Sequence, residues 1–261
     1  MSTEDLAQRL WQARRSGQVI DAARVATPES VAEAYAVHWR IAEISGLPVV
    51  GFKIGSTSLE AQRMLGTDEP GSAPLLAPYV HASPATVPIV TAQAPCVEGE
   101  FAFRLGRDLP ARATPYSREE IAAAVDAVAG AIEVVGTRFA GGLAGKGRLL
   151  TTADGGVNIA LVTGAWTTAW RALDLPSHRV SMRIGGAVKG EGTGARALGD
   201  PMTVLEWLVN QQSRAGRGMK AGEIASTGTC TGLDPVAPGD GAVADFGALG
   251  SVEILFVPFT P

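Results

Sequence analysis

Cysteine and histidine are scarce in this sequence. Only two cysteines and three histidines occur among 261 residues. Two cysteines are too few for a disulfide scaffold or a cysteine-rich zinc site, and the histidines are too scattered for a histidine zinc site. Such a composition is typical of a protein in the reducing cytoplasm, where we expect this chain. The residues concerned are Cys96, Cys230, His38, His81 and His178.

Clusters of positive charge are also missing. Lysine and arginine number 22 against 26 aspartates and glutamates, which gives a formal net charge of −4, and no basic run is longer than Arg14–Arg15. Binding to nucleic acid or to an anionic membrane needs clustered basic residues. We therefore expect a small-molecule partner, with neither nucleic acid nor membrane.

No stretch of the sequence is suited to direct export or to cross a membrane. The first residues mix acids and bases without a continuous apolar core, so a secretory or transit signal is not expected. Residues 70–97 lack Asp, Glu, Lys and Arg but contain six prolines, which a membrane-spanning helix does not tolerate. This segment is instead predicted to be extended.

Four helices are predicted from apolar spacing and capping residues. The third opens with the capping box Ser117–Glu120, and we expect Ile121, Val125, Val128 and Ala129 on its inner face. The first two helices form an N-terminal helical lobe. The predicted helices begin at Ser2, Thr27–Pro28, Ser117 and Asp200–Pro201, and the first of them ends near Ser16.

Glycine is abundant, with 32 residues that are concentrated after position 136 between short strands. Glycine suits tight turns because it adopts positive φ without a Cβ clash. Strands are expected at 180–184 and 251–257, with turns at Gly185–Gly186 and Pro238–Asp240. Since helices and strands are segregated along the chain, we predict an α+β fold with a largely antiparallel or mixed sheet.

The sequence does not support any of the familiar nucleotide-binding or serine-hydrolase motifs. Residues 190–195 match G-x-G-x-x-[GA], but they lie in a hairpin region with no helix directly after them, so a dinucleotide site is not expected. Lys146 lacks the first glycine and the Ser or Thr of a P-loop, and no G-x-S-x-G sequence occurs.

Three glutamates form the strongest candidate site. Glu98 and Glu100 are two residues apart in an expected strand, so they project from the same face. A solvated strand face is the alternative interpretation of this pair. Glu133 lies in an apolar run, where a lone carboxylate is costly unless it is paired or bound to metal. Three oxygen ligands without histidine or cysteine suit Mg²⁺ or Mn²⁺.

Lys53 is a single charge within the apolar run 49–55. The residues alone leave two interpretations open. Lys53 is either a solvent-facing strand residue or a buried cation that faces a site, and a buried ammonium needs an anionic partner.

The sequence around these residues resembles the 2-keto-4-pentenoate hydratase / 4-oxalocrotonate decarboxylase family, which is part of the fumarylacetoacetate hydrolase superfamily. The resemblance runs in order through about residues 5–257, and the spaced Glu-x-Glu with a downstream Glu is its specific part. The matching segments are 50–58, 97–103, 106–108, 131–135, 137–138, 153–154, 226–232 and 238–240.

The resemblance implies a fold, an assembly and a set of site residues. The implied fold is a mixed β-sheet roll with an N-terminal helical lobe, and we expect a helical lobe at 1–48 and a metal-binding catalytic roll at 49–261. Homo-oligomers are expected, and a complex with a pathway enzyme is left open. The implied residues are Glu98, Glu100 and Glu133 for the metal, Lys53 and Asp154 for catalysis, and Ser56, Arg138 and Thr229 for substrate binding.

The resemblance also implies an activity, in which water adds to a 2-hydroxy-2,4-dienoate through its 2-oxo-3-enoate tautomer and gives a 4-hydroxy-2-oxo acid. A divalent ion would act as a Lewis acid on the enolate of such a substrate. Decarboxylation of a 2-oxo-3-enedioate is the first alternative, followed by an acylpyruvate-type C–C hydrolase and a non-catalytic 2-oxo acid binding subunit. The chain departs from the family pattern at Gly99, Gly136 and Gly155, so the substituent at C5 of the substrate is left open.

Overall fold

A computed structural model of the protein describes residues 3–261, in which six α-helices and thirteen strands are present. The helices are α1 Thr3–Ser16, α2 Val31–Ser45, α3 Leu59–Leu65, α4 Arg118–Ala124, α5 Gly147–Ala153 and α6 Pro201–Arg214. The strands are β1 Val49–Gly55, β2 Gly71–Leu76, β3 Val80–Ala82, β4 Ala85–Ile89, β5 Cys96–Leu105, β6 Val125–Val135, β7 Asn158–Thr163, β8 Arg179–Ile184, β9 Ala187–Thr193, β10 Ile224–Thr229, β11 Asp234–Pro235, β12 Gly241–Asp245 and β13 Ser251–Pro258.

The strands form two mixed sheets. The larger sheet has the order β2-β1-β10-β5-β6-β7-β3, with β11 paired to β5, and the smaller sheet has the order β4-β13-β12-β8-β9. Each contains parallel and antiparallel neighbours, such as the parallel pairs β1–β10 and β13–β4. Strands β12 and β13 contact β6 and β7 of the larger sheet. The α+β fold with a mixed β-roll, predicted from the sequence, is confirmed.

Aromatic packing joins the two sheets. Phe101 on β5 and Phe246 directly after β12 meet edge to face, with ring centroids 5.6 Å apart. Gly130 on β6 lies directly under the Phe246 ring, and a Cβ at this position would overlap that ring. The missing side chain at Gly130 therefore allows the sheets to approach closely around the strand that carries Glu133.

Helices α1 and α2 form the N-terminal lobe. Apolar residues of both helices share one buried cluster with Phe139, Leu150 and Ala153. The lobe thus packs on α5 and on the segment that leads to Asp154. Since this cluster contains residues from both predicted units, the boundary between 1–48 and 49–261 stays a prediction.

Several predicted elements are found where the sequence places them. Residues 70–97 are extended or in short turns, Gly185–Gly186 links β8 to β9, and α6 begins at Pro201 with Asp200 as its cap. The first helix ends at Ser16 as predicted, and its predicted start at Ser2 lies outside the described residues. No helix within residues 3–261 is long and apolar enough to span a bilayer.

Two helix predictions are corrected. The second helix begins at Val31, because the Ser30 side chain accepts a hydrogen bond from the Glu33 backbone and caps the helix there. The capping box at Ser117 is present, but α4 ends at Ala124. Of the inward residues predicted for that helix, Ile121 is buried within α4 as expected, whereas Val125, Val128 and Ala129 lie in β6.

The physical reason for the second correction is strand pairing. A run of valine, alanine and isoleucine fits a helix or a fully buried strand equally well by apolar pattern. Strand β6 lies between β5 and β7 and hydrogen-bonds to both, which outweighs the local helix preference. Helices α3 and α5 were missed because each has only seven residues, too few for a clear helical period.

His38 on α2 makes the stability of the lobe depend on pH. Its ring is 2% exposed, and burial lowers its pKa from 6.5 to about 3, although a hydrogen bond with the Thr152 backbone opposes this shift. The unfolded chain therefore binds a proton at His38 below about pH 6.5 while the folded chain does not. The free energy of unfolding falls with decreasing pH in this range, by about 1.4 kcal/mol per pH unit for one such group.

We expect His38→Gln to remove this contribution. The variant should be less stable than the wild type near pH 8, because packing is lost, and the difference should shrink as pH falls from 6.5 towards 4. Chemical denaturation at a series of pH values measures both free energies. A difference that stays constant over this range would contradict the assignment to His38.

Candidate metal and substrate site

Neighbouring strands of the larger sheet bring the three glutamates together. Glu98 on β5 lies directly opposite Glu133 on the antiparallel strand β6, and Glu100 follows two residues along the same face. One carboxylate oxygen of each lies within 4.8 Å of the others. Glu100 and Glu133 are fully buried, whereas Glu98 is half-buried. The structure thus contains the carboxylate cluster that the sequence predicts, and this cluster could hold a metal ion.

Lys53 reaches the same cluster from β1. Its Nζ lies 3.2 Å from Glu133 Oε2, and its side chain is 5% exposed. Burial disfavours the charged ammonium, but attraction to Glu133, Glu98 and Glu100 outweighs this effect and raises the pKa of Lys53. Of the two interpretations, the structure shows the buried cation, which is protonated at neutral pH.

The carboxylates are crowded and largely buried, which opposes their ionisation. Burial raises the pKa of Glu98 to about 7, with a further contribution from Glu133, while Lys53 and a hydrogen bond with Thr229 oppose the rise. Burial and the two other carboxylates raise the pKa of Glu100 well above its usual value. A positive charge placed among the three groups would relieve this repulsion.

Strand β10 orients Glu100. Ser226 Oγ and the Gly228 amide, 3.0 Å away, both donate to Glu100 Oε2. Glu100 Oε1 is buried without a hydrogen-bond partner among residues 3–261. One oxygen is therefore held by the protein while the other is left available to a ligand.

The residues present fit a divalent cation. Glu133 Oε2, like Glu100 Oε1, accepts no hydrogen bond of good geometry within the described chain, although Lys53 Nζ is near it. Three carboxylates face one ammonium group in the cluster. When all three carboxylates are ionised, the excess of two negative charges equals the charge of one divalent cation, and an all-oxygen ligand set suits a hard metal ion.

Two of the three predicted substrate-binding residues lie beside this cluster. Thr229 ends β10, and its interaction with Glu98 lowers the pKa of that carboxyl. Ser56 directly follows β1, which carries Lys53, and has a positive φ of 57°. The hydrogen bond from Gln62 Nε2 to the Ser56 carbonyl, 3.0 Å long, supports this backbone conformation.

Arg138 and Asp154 form a separate buried ion pair. Arg138 Nε donates to Asp154 Oδ1 over 2.6 Å, while Thr137 Oγ1 and the Arg138 amide donate to Oδ2. Both carboxylate oxygens of Asp154 are therefore occupied by the chain itself. The catalytic role of Asp154 and the substrate role of Arg138 stay predictions, and the structure shows these side chains bonded to each other.

Asn158 is a residue that sequence reasoning missed. Its Nδ2 donates to Glu133 Oε1 over 2.8 Å, which leaves Oε2 facing Lys53 and the cluster. Two arginines, Arg14 of the N-terminal lobe and Arg138, donate to the Asn158 carbonyl at 2.6 and 2.9 Å. The only sequence signal is a polar residue at the start of the apolar run 158–163, which by itself is weak.

The larger part of the chain matches one family model. The model described as fumarylacetoacetate (FAA) hydrolase C-terminal matches residues 53–256. The chain belongs to the fumarylacetoacetate hydrolase family. All three glutamates and Lys53 lie within the matched range.

Named relatives extend over nearly the whole chain. The 2-keto-4-pentenoate hydratase of Paraburkholderia xenovorans is 35% identical over 257 residues, which are 97% of this chain and 94% of the relative. The 2-hydroxyhexa-2,4-dienoate hydratase of Comamonas testosteroni is 32% identical over 260 residues, which are 97% of each chain. The predictions of family membership and of a hydratase-type enzyme are thereby confirmed.

A solved structure shares the fold. The 4-oxalocrotonate decarboxylase of Pseudomonas putida, complexed with magnesium and adipate, matches with a TM-score of 0.89 at 27% identity and covers 98% of this chain and 97% of its own. A complex of that decarboxylase with calcium and acetate gives a TM-score of 0.88. Divalent metals are thus bound by a protein of the same fold.

We expect Asn158→Leu to weaken metal binding without unfolding the protein. Loss of the amide frees Glu133 to turn away, and loss of such a supporting hydrogen bond costs about 10- to 100-fold in metal affinity. Titration with Mn²⁺ as a paramagnetic probe measures the dissociation constant.

Asn210→Leu is the matched control for this experiment. Asn210 hydrogen-bonds to the Tyr116 backbone, away from the cluster, so the variant should lose stability but keep its affinity for Mn²⁺. Unchanged Mn²⁺ affinity in Asn158→Leu would show that Asn158 does not orient Glu133.

Proposed function

We propose that this protein is a metal-dependent hydratase that adds water to a 2-hydroxy-2,4-dienoate and gives a 4-hydroxy-2-oxo acid. The observation that carries the proposal is the buried cluster of Glu98, Glu100 and Glu133 with Lys53 beside it. The near full-length similarity to a protein named 2-keto-4-pentenoate hydratase supports the choice of reaction.

Mg²⁺ or Mn²⁺ is the cofactor of the proposal. Glu98, Glu100 and Glu133 would hold it, since hard divalent cations prefer carboxylate oxygens and keep positions for water or substrate. When bound, the cation supplies positive charge that stabilises the enolate form of a 2-oxo acid.

Lys53 is proposed to act on the substrate directly. Its ammonium group is buried, protonated and held next to Glu133. A preorganised donor in such a dry site stabilises negative charge that develops on a substrate oxygen. Lys53 also holds a proton that it can share with the reacting group.

Ser56 and Thr229 are proposed to bind the substrate. Ser56 follows the strand that carries Lys53, and Thr229 ends the strand that orients Glu100. A hydroxyl group suits hydrogen bonding to a carboxylate or hydroxyl of a small acid. Arg138 and Asp154 lie farther from the open side and are bonded to each other. In the proposed enzyme, this pair would act on the cluster through Asn158.

We further propose that the protein works as a homo-oligomer in the cytoplasm. The family resemblance supports the assembly. The two cysteines, Cys96 and Cys230, are free thiols, which is in keeping with a reducing compartment. A complex with a pathway enzyme stays a prediction of the same resemblance.

Decarboxylation of a 2-oxo-3-enedioate is the second candidate function. It is favoured by the high structural similarity to a 4-oxalocrotonate decarboxylase. Both reactions pass through an enolate, so the cluster and Lys53 serve either. The two reactions differ in the fate of the substrate, which loses its carboxylate as carbon dioxide in one and gains water in the other.

The proposal is tested by turnover of 2-hydroxypenta-2,4-dienoate by the purified protein with Mg²⁺. We expect loss of the diene absorbance and formation of a 4-hydroxy-2-oxo acid, and neither with Glu100→Gln. Release of carbon dioxide from 2-oxohex-3-enedioate without any hydration would favour the decarboxylase. Binding of both acids without turnover would indicate a binding protein instead of an enzyme.

Lys53→Met should lower kcat and kcat/KM together. Loss of one preorganised electrostatic donor costs on the order of 10²- to 10³-fold in rate. Steady-state kinetics on the same dienoate measures both constants. Lys189→Met, an exposed lysine on β9, is the control and should keep the wild-type values. A rise in KM with unchanged kcat would mean that Lys53 only anchors the substrate.

A further inference from the structure

Arg196 is a cation that the proposed mechanism does not use. It ends a short 3₁₀ helix, Gly194–Arg196, directly after β9. Its side chain is exposed and makes no hydrogen bond or ion pair with another of residues 3–261. An arginine without a carboxylate partner is common on a protein surface. Only the position of Arg196 in the fold can therefore indicate a function for it.

The guanidinium of Arg196 lies against the loop that borders the glutamate cluster. Its two terminal nitrogens are 3.5 and 3.7 Å from the point that a Cβ would occupy at Gly232. The Gly232 amide donates to Thr229 Oγ1 over 2.8 Å, and Thr229 Oγ1 donates to the Gly232 carbonyl over 3.0 Å. Thr229 also interacts with the Glu98 carboxylate. Arg196 therefore lies against the loop 229–232, which borders the cluster at Glu98.

Arg196 also lies on the side from which the cluster is open. Glu100, Glu133 and Lys53 are buried, while Glu98 is half-buried, so solvent reaches the cluster at Glu98. Lys53 and Arg196 are the two cations that interact with the Glu98 carboxylate. Of these two cations, Lys53 is paired with Glu133 and Arg196 is free.

The backbone holds Arg196 in this place. The Ala197 amide donates to the Gly194 carbonyl, and the Leu198 amide donates to the Thr57 carbonyl over 2.9 Å. The second bond ties the 3₁₀ helix to the segment that follows β1 and contains Ser56. These bonds fix the backbone of the turn from which the Arg196 side chain extends to the loop at Gly232.

We propose that Arg196 is a specificity-determining residue that binds a second carboxylate at the far end of the substrate. A 2-oxo acid whose first carboxylate is held at the cluster extends outwards past Glu98, and its far end then meets Arg196. A guanidinium binds a carboxylate with two parallel hydrogen bonds. The site therefore favours 2-oxo acids with two carboxylates over those that end in an alkyl group.

This inference rests on the proposed function only in placing a 2-oxo acid at the cluster. It is tested by binding of two unreactive acids of equal length, 2-oxoadipate and 2-oxohexanoate, to the protein with Mg²⁺ by calorimetry. We expect the wild type to prefer 2-oxoadipate by about 10-fold or more, as for a hydrogen bond to a charged group. Arg196→Gln should bind both acids with the affinity that the wild type has for 2-oxohexanoate.

Arg183→Gln is the matched control. Arg183 is an exposed arginine on β8 of the smaller sheet, and its variant should keep the preference. Equal binding of the two acids by the wild type, equal loss of both in Arg196→Gln, or no binding of either acid would overturn the inference. A wild type that prefers 2-oxoadipate but hydrates no dienoate would contradict the proposed hydratase and leave the role of Arg196 intact.

Discussion

The ion pair between Lys53 and Glu133 is the constraint on which the site depends. Both groups are out of water, and breaking a buried pair by removal of one partner costs about 3–5 kcal/mol because an uncompensated charge is left behind. Two further carboxylates lie in the same space. The chain tolerates this concentration of negative charge because Lys53 supplies one positive charge and the geometry leaves carboxylate oxygens free for a cation.

The order of the strands makes this arrangement possible. Lys53 is on β1 and Glu133 is on β6, and only β10 and β5 lie between them in the sheet. Around Glu133, the supporting bonds extend outwards through Asn158 to Arg138 and to Arg14 of the N-terminal lobe. The helical lobe thus contributes to the position of one carboxylate, which gives it a part in the site besides its packing on α5.

The sequence predicts the helices and the candidate site to different extents. The capping box at Ser117 located the start of α4, but the predicted end of this helix was wrong. A buried strand and a buried helix have the same apolar composition, and pairing with β5 and β7 decides that β6 is a strand. Glu98 and Glu100 were predicted as a pair because i and i+2 share a strand face. Asn158 carried no comparable pattern, since its partner Glu133 is 25 residues away.

The sequence by itself determined the chemical character of the site: three carboxylates and a lysine placed in apolar runs, where isolated charges are too costly to be left unpaired. Capping residues in the sequence also located the starts of α4 and α6. Only the tertiary structure decided that Lys53 pairs with Glu133, that Asp154 is occupied by Arg138, and that Arg196 stands unpaired at the open side. These contacts join residues far apart in the chain, and their distances depend on strand order and sheet packing, which no local pattern specifies.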